Sequence, residues 1–253
     1  MYRFFVLSVF FILLSLIWGC GGDSQSPTDG MMSNEDINPG QVSESVEGFE
    51  KQYGQDLEYQ IVLENLTAAT APGASQPFSP PVIAVHRRWV RMFKVNAYAS
   101  DLLRQIAEDA QNTAMISFLE QSKNVYQVVE GENGPIFPGT SQTFTIKAKR
   151  GFHQLSLVTM LVNTNDGFTG VNKVNLPPHG SRTYYLKAYD AGTEMNTELK
   201  AHIPGPCCGS PLSRVPTRER IKQHQGILGV GELDPAVYGW ERKVAKLTIS
   251  RIN

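Results

Sequence analysis

The sequence predicts an all-β fold, a single antiparallel β-sandwich with one or two short helices in its connections. After Leu57, short segments alternate apolar and polar residues with a period of two, as half-buried strands do. Turns that contain Pro or Gly separate these segments. No longer period repeats along the chain, which argues against a solenoid or a propeller. Many short strands at this spacing favour a sandwich.

Residues 1–19 have the features of a lipoprotein signal peptide. Arg3 is their only charge, and the apolar run after it has about 15 residues, fewer than the roughly 20 that span a bilayer. The run ends in Leu16–Cys20, which resembles a bacterial lipobox, although Trp18 is bulkier than usual. We therefore expect lipidation of Cys20 and anchoring of the exported chain to a membrane. A plain secretory signal or an uncleaved anchor is the alternative.

Residues 20–56 are predicted to form the acylated cysteine and a flexible tether. From Gly21 onward this segment is rich in Gly, Ser, Pro, Asp, Asn and Glu and has almost no apolar periodicity, which is the composition of a linker. Gly21, rather than Asp, directly after the cysteine favours sorting to the outer membrane or cell surface of a bacterium with two membranes.

Residues 57–253 are predicted to form the sandwich domain. Alternating patterns predict strands, a segment that is apolar on both faces towards its end predicts a central strand at 153–162, and two segments with apolar residues on one side predict helices. A stretch with little periodicity predicts a long loop packed on the sandwich. The predicted strands are 57–64, 143–149, 153–162, 171–176, 183–188 and 245–250, the helices are 100–110 and 113–121, and the loop is 204–235.

The charge of the chain gives no indication of a nucleic-acid partner. The sequence has 23 Lys and Arg against 24 Asp and Glu, a formal net charge of −1. Such a chain lacks the general basic field that attracts nucleic acid. A local excess of cations occurs at Arg87, Arg88 and Arg91 around Trp89. This segment is compatible with a cationic edge for acidic glycans or phospholipid head groups, or with a solvated strand edge.

Two acidic turns follow predicted strands. Asp166 comes after the strand that ends at Val162, and Asp190 and Glu194 come after the strand that ends at Tyr189. If these strands flank a single antiparallel strand, they run the same way and their turns meet at one end of the sandwich. Three carboxylates there repel each other unless a cation lies between them, and hard oxygen ligands suit Ca²⁺. The alternative is that the acids cap backbone amides in ordinary turns.

Two adjacent cysteines are a weaker candidate site. An exported chain permits disulfides, but Cys207 and Cys208 cannot staple a long loop within one chain because they are neighbours. They are interpreted as two loop residues or as an intermolecular bridge. A metal site formed by the two thiols with His202 is the alternative.

Four ordered segments resemble the spondin domain of the F-spondin/mindin type, which also occurs in many bacterial secreted proteins. The resemblance covers about residues 57–253. The segments are Pro77–His86, Thr164–Gly170, Tyr189–Glu194 and His202–Pro206.

The resemblance implies a sandwich similar to C2-type, calcium-dependent membrane-targeting domains, with one bound metal ion, Ca²⁺. It implies Asp166, Asp190 and Glu194 as metal ligands; Glu194 stands where the animal members typically have Asp. It also implies cell adhesion or matrix binding without catalysis.

The sequence therefore predicts an envelope protein, anchored by lipid at Cys20, whose calcium-binding domain binds an extracellular protein or glycan. We expect no enzymatic activity and no nucleic-acid partner. One alternative is an envelope glycan hydrolase that uses the same acidic loops, and another is a structural envelope protein that binds a second lipoprotein.

Overall fold

A computed structural model describes residues 56–68, 75–209 and 213–253. The predicted signal peptide, Cys20 and all but the last residue of the predicted tether lie outside the described residues. Within those three ranges, no helix is both long enough and apolar enough to cross a bilayer.

One layer of the fold is a four-stranded antiparallel sheet. Its order is β4-β1-β10-β7, so the first and last strands of the domain pair at its centre. Residues buried in the sandwich alternate along β1 with more exposed ones, which gives this strand the period of two seen in the sequence. The four strands are β1 (Leu57–Asn65), β4 (Ser141–Ala148), β7 (Ser181–Leu186) and β10 (Ala245–Arg251).

The second layer is a six-stranded antiparallel sheet of order β3-β2-β5-β6-β8-β9. Its strands are β2 (Val82–His86), β3 (Val125–Glu130), β5 (Gln154–Met160), β6 (Gly167–Asn175), β8 (Ala188–Asp190) and β9 (Lys222–Gln223). All five residues of β2 are buried, because both faces of this sheet are covered.

The two faces of the second sheet contact different partners. On β2, Ile83 and Val85 pack in the main core between the sheets. Val82 and Ala84 pack in a second core beneath two helices, α1 (Asp101–Asp109) and α2 (Thr113–Glu120). The fold is therefore a β-sandwich with a helical layer on one side. A short helix, α3 (Pro235–Tyr238), precedes the final strand.

The predicted fold class is confirmed. Both predicted helices form, and α1 begins where the sequence suggests because the Ser100 side chain accepts a hydrogen bond from the Leu103 amide at 3.3 Å. β2 and β3 were not predicted, because strands with apolar residues on both faces have no apolar–polar alternation. Two further elements were not predicted: β9, which lies within the predicted long loop, and α3, which begins at the last residue of that loop.

The predicted strand 183–188 is two strands in different sheets. β7 ends at Leu186 in the four-stranded sheet, and β8 begins at Ala188 beside β6 in the other. The alternation of side chains continues through Lys187, so periodicity could not reveal the change of sheet. Because β5 and β8 flank β6, they still run in the same direction, as the argument for the acidic turns requires.

Candidate metal centre

Strand pairing brings Asp166 and Asp190 together. Asp166 directly precedes β6 and Asp190 ends β8, and the register sets Gly167 opposite Asp190. The Ala191 amide donates to the Asp166 carbonyl at 3.2 Å and extends the pairing by one residue. Two acids 24 positions apart in the sequence therefore lie side by side at the sheet end, as predicted.

The Asp166 carboxylate is buried and only half satisfied. Its Oδ2 accepts hydrogen bonds from the Thr193 amide at 2.8 Å, the Thr193 hydroxyl at 3.2 Å and the Glu194 amide at 3.0 Å. Its Oδ1 is buried and has no hydrogen-bond partner within the described ranges. A buried acceptor in this state needs an explanation, and a role as a ligand for a cation is one.

Asp190 organises the turn that follows β8. Its Oδ1 accepts from the Gly192 amide at 2.7 Å, and its Oδ2 accepts from the Asn196 side-chain amide at 2.7 Å. Lys222 Nζ lies 3.8 Å from the same Oδ2. Gly192 is required here, because its φ is +72° and a Cβ would lie 2.7 Å from the backbone of Glu219.

Glu194 contributes its backbone amide to Asp166 but directs its carboxylate to another group. Its Oε1 accepts from Arg214 Nη1 at 2.5 Å. The same guanidinium contacts Glu108 at 3.4 Å and Asp109 at 2.5 Å, both at the end of α1. Glu194 Oε2 is buried and, like Asp166 Oδ1, has no partner within the described part of the chain.

Burial disfavours the charged forms of two of these carboxyls. Desolvation, followed by the charge of Asp190, raises the pKa of Asp166 from 3.8 to about 7, although its three hydrogen-bond donors oppose the shift. Desolvation also raises the pKa of Glu194, and Arg214 opposes that shift. A cation at this position would favour the charged forms.

His224 is a further buried group near Asp190. Its Nδ1 accepts from the Gly226 amide at 3.0 Å, so the proton of the neutral ring is on Nε2, which is buried without a partner in the described residues. Burial lowers its pKa to about 4, and the charge of Asp190 opposes this shift. Sequence reasoning missed His224, Asn196 and Arg214 as neighbours of the acids, because they belong to segments without periodicity.

The donor set suits a hard cation, although the ligands are not fully assembled. Within the described ranges, no three His, Cys, Asp or Glu side chains form a group arranged to hold a metal. Asp166 and Asp190 lie together, whereas the Glu194 carboxylate is held by Arg214. Two buried carboxylate oxygens without partners are nevertheless the kind of ligand that Ca²⁺ takes. Metal binding by the three acids therefore stays a prediction.

The adjacent cysteines lie beside the same end of the sandwich. A disulfide joins Cys207 to Cys208, which leaves neither thiol free to bind a metal with His202 or to bridge to another chain. The Cys207 amide donates to Asn163 Oδ1 at 3.1 Å. At Gly205 a Cβ would lie 1.8 Å from the Val162 carbonyl oxygen, so only glycine permits this close approach. The segment thus packs against the strand end that precedes Asp166.

Comparison with known proteins agrees with this architecture. The family profile described as Spondin_N, the spondin N-terminal domain, matches residues 59–214. The match covers more than half of the chain and includes all three predicted ligands. The last strand, β10, lies beyond it but pairs with β1 at the centre of the first sheet. No curated protein sequence matches this chain at a significant level. The chain belongs to the spondin N-terminal domain family.

Proposed function

We propose that this protein is a lipid-anchored envelope protein whose spondin domain binds calcium and attaches to an extracellular protein or glycan. Membership of the family supports an extracellular type of domain. The observation that carries the calcium proposal is the buried, unpartnered Oδ1 of Asp166 beside Asp190. A divalent cation would satisfy this oxygen and neutralise the repulsion between the two acids.

The burial of the acids favours a structural metal site over a hydrolytic one. Asp166, Asp190 and Glu194 are all buried. A glycan hydrolase needs carboxyl groups that reach the scissile bond on both sides of the substrate. Acids enclosed between β6, β8 and the turn after β8 instead suit closed coordination that fixes these strands to each other. We therefore propose binding and attachment, without catalysis.

In this proposal the chain's own residues place the acids before metal binding. The Thr193 and Glu194 amides hold one Asp166 oxygen, and the Gly192 amide holds one Asp190 oxygen. Bound calcium would supply positive charge that favours the ionised form of Asp166 at neutral pH. The expected result is a stiffer connection between β8 and β6.

Calcium is expected to raise the melting temperature of the purified protein relative to EDTA. A ligand that binds only the folded state stabilises it by about 2.7 kcal/mol at a hundredfold excess over Kd. Asp190→Asn should remove most of this calcium response, while Glu241→Gln should leave it intact because Glu241 is exposed and outside the site. Glu198 is unsuitable as a control, since its carboxylate accepts from the Leu228 and Val230 amides. Thermal unfolding with calcium and with EDTA measures the effect.

Identical melting curves in calcium and EDTA, with no metal in the purified protein, would contradict the calcium proposal. An equal loss of the calcium response in both variants would also contradict it. The acids would then act only as acceptors for the backbone amides of their turns.

The proposed lipid anchor has its own test. Cys20→Ser removes the acylated atom, so the protein is expected to leave the detergent phase and the membrane fraction. Phase partitioning followed by immunoblotting measures this, with Cys207→Ser as the matched cysteine control that should remain with the membrane. Unchanged partitioning of Cys20→Ser would show that acylation at this residue does not anchor the protein.

A further inference from the structure

A cationic groove lies at the end of the six-stranded sheet opposite the acid cluster. We define it by Arg88, Trp89, Arg91, Lys94 and Lys173. The first four follow β2, and Lys173 lies near the far end of β6. Along the β5–β6 pair, the groove is near the Leu155–Val174 end, whereas Asp166 is beyond the Met160–Phe168 end. Arg88, Arg91 and Lys173 therefore lie the length of these strands away from Asp166. From there the groove extends to Tyr189, which directly precedes Asp190.

The groove consists of two neighbouring depressions that share Arg91. The first has a volume of about 470 Å³ and is lined by Arg88, Trp89, Arg91 and Lys173. The second has a volume of about 350 Å³, and its lining includes Phe93, Lys94 and Tyr189. Among the described residues, no acidic side chain lines either depression. The concave surface thus carries four cations and a series of aromatic rings.

Within the described ranges, the four cations of the groove have no acidic partners. No ion pair joins Arg88, Arg91, Lys94 or Lys173 to a carboxylate among the residues that the structure describes. The segments that line most of the groove, 88–95 and 170–174, contain no Asp or Glu. A chain with a net charge of −1 therefore concentrates unneutralised positive charge on one surface.

Local backbone structure holds the groove in place. The β5–β6 register shifts between Leu155 and Leu157, and Lys173 adopts a φ of 53° at this bulge. Bulges change the direction of a side chain, and a left-handed lysine is uncommon enough to suggest a constraint. Asn172 fixes the opposite wall, since its side chain accepts from the Met92 amide and donates to the Phe93 carbonyl, both at 2.9 Å.

Trp89 supplies an aromatic surface within the groove. Its side chain is 67% exposed, and the Arg88 guanidinium lies 4.0 Å from its ring centroid. An exposed tryptophan among cations suits a ligand that has both anionic groups and flat apolar surfaces. Two neighbouring depressions that share Arg91 fit an extended ligand chain better than they fit a planar lipid surface.

We propose that the cationic groove binds an acidic polysaccharide, a chain whose sugars carry sulfate or carboxylate groups. The anionic groups pair with Arg88, Arg91 and Lys173, and a sugar ring lies against Trp89. This inference rests on the proposed role in attachment to an extracellular ligand, and it names the chemical class of that ligand and a site separate from the metal centre.

The test uses the full-length protein and a size-defined heparin oligosaccharide as the probe. The groove variant Arg88→Gln/Arg91→Gln/Lys173→Gln should lower the affinity about tenfold or more, because several exposed ion pairs together contribute over 1.4 kcal/mol. The matched control, Arg182→Gln/Lys187→Gln/Arg242→Gln, removes the same number of cations, all of them exposed, and should change the affinity less than about twofold. Trp89→Ala should weaken binding without a change in net charge. Titration calorimetry at two salt concentrations measures each affinity.

Further measurements identify results that would overturn the inference. Equal loss of affinity in the two triple variants would mean that general charge alone attracts the probe. Uncharged dextran that binds as tightly as heparin would exclude an acidic polysaccharide as the specific ligand. Polyglutamate that binds as tightly as heparin, with the same affinity in Trp89→Ala, would exclude it too. A third outcome would identify a membrane surface as the ligand instead. In that case the protein binds phosphatidylglycerol vesicles in preference to phosphatidylcholine vesicles, only the groove variant loses this preference, and heparin does not bind.

The two sites fail separately in these experiments. Heparin binding should persist in EDTA, and the groove variant should keep its calcium-dependent melting temperature. If the melting temperature of the wild-type protein does not respond to calcium while the protein still binds heparin, only the metal proposal is contradicted. Wild-type protein that does not bind heparin would contradict only the groove proposal.

Discussion

Asp166→Ala is expected to have a free energy of unfolding about 3 kcal/mol lower than that of Asp166→Asn, both measured in EDTA. Three donors, the Thr193 amide, the Thr193 hydroxyl and the Glu194 amide, share one acceptor oxygen of Asp166. Alanine leaves all three without an acceptor in a buried site, whereas asparagine retains a carbonyl oxygen for them. Urea unfolding of the two variants measures the difference.

The comparison isolates hydrogen bonding from charge, because neither variant can ionise at this position. Both variants should lack the calcium response, since neither offers a carboxylate at residue 166. Equal stability of the two variants would mean that the three donors find other acceptors, and that Asp166 does not organise the turn after β8. A retained calcium response in Asp166→Asn would remove Asp166 from the proposed ligands.

In EDTA, the stability of the wild-type protein relative to Asp166→Asn is expected to fall as the pH rises from about 4 to about 7. The pKa of Asp166 is raised from 3.8 to about 7 in the folded protein, so folding favours its protonated form. Below about pH 4 the carboxyl is protonated in both states. Above that pH the unfolded chain ionises first, and stability is lost until the pH passes the folded pKa. The expected total is on the order of 4 kcal/mol.

Unfolding free energies at several pH values, taken as wild type minus Asp166→Asn, measure this effect. Other groups, including His224, occur in both proteins and contribute little to the difference. Saturating calcium should flatten the curve, because the cation favours the ionised carboxylate. A difference that stays constant with pH in EDTA would mean that Asp166 ionises in the folded protein as readily as in the unfolded chain.

The sequence predicted the elements whose signals are local. Alternation located β1, β4 and β10, a segment apolar on both faces located β5, and apolar residues on one side located α1. The same information missed β2, because a strand covered by the other sheet on one face and by helices on the other has no polar side to mark it. It also read β7 and β8 as one strand, since a change of sheet does not interrupt the alternation.

The pairing of Asp166 with Asp190 was predictable, but the direction of the Glu194 carboxylate was not. The pairing requires only that two strands running in the same direction, β5 and β8, flank one antiparallel strand, β6. The order of the predicted strands along the sequence suggests this arrangement. The direction of Glu194 depends on Arg214, which lies 20 residues away and is itself held by Glu108 and Asp109. No spacing rule connects α1 with these two later segments.

By itself, the sequence determined the all-β class, the helices of the connections, the acidic turns and the resemblance to the spondin family, because each depends on residues close together in the chain. The tertiary structure alone decided which acids lose contact with water, where cations gather away from the acids of the described residues and which side chains Arg214 contacts. These features arise when distant segments pack, and packing sets burial and charge contacts that local periodicity does not encode.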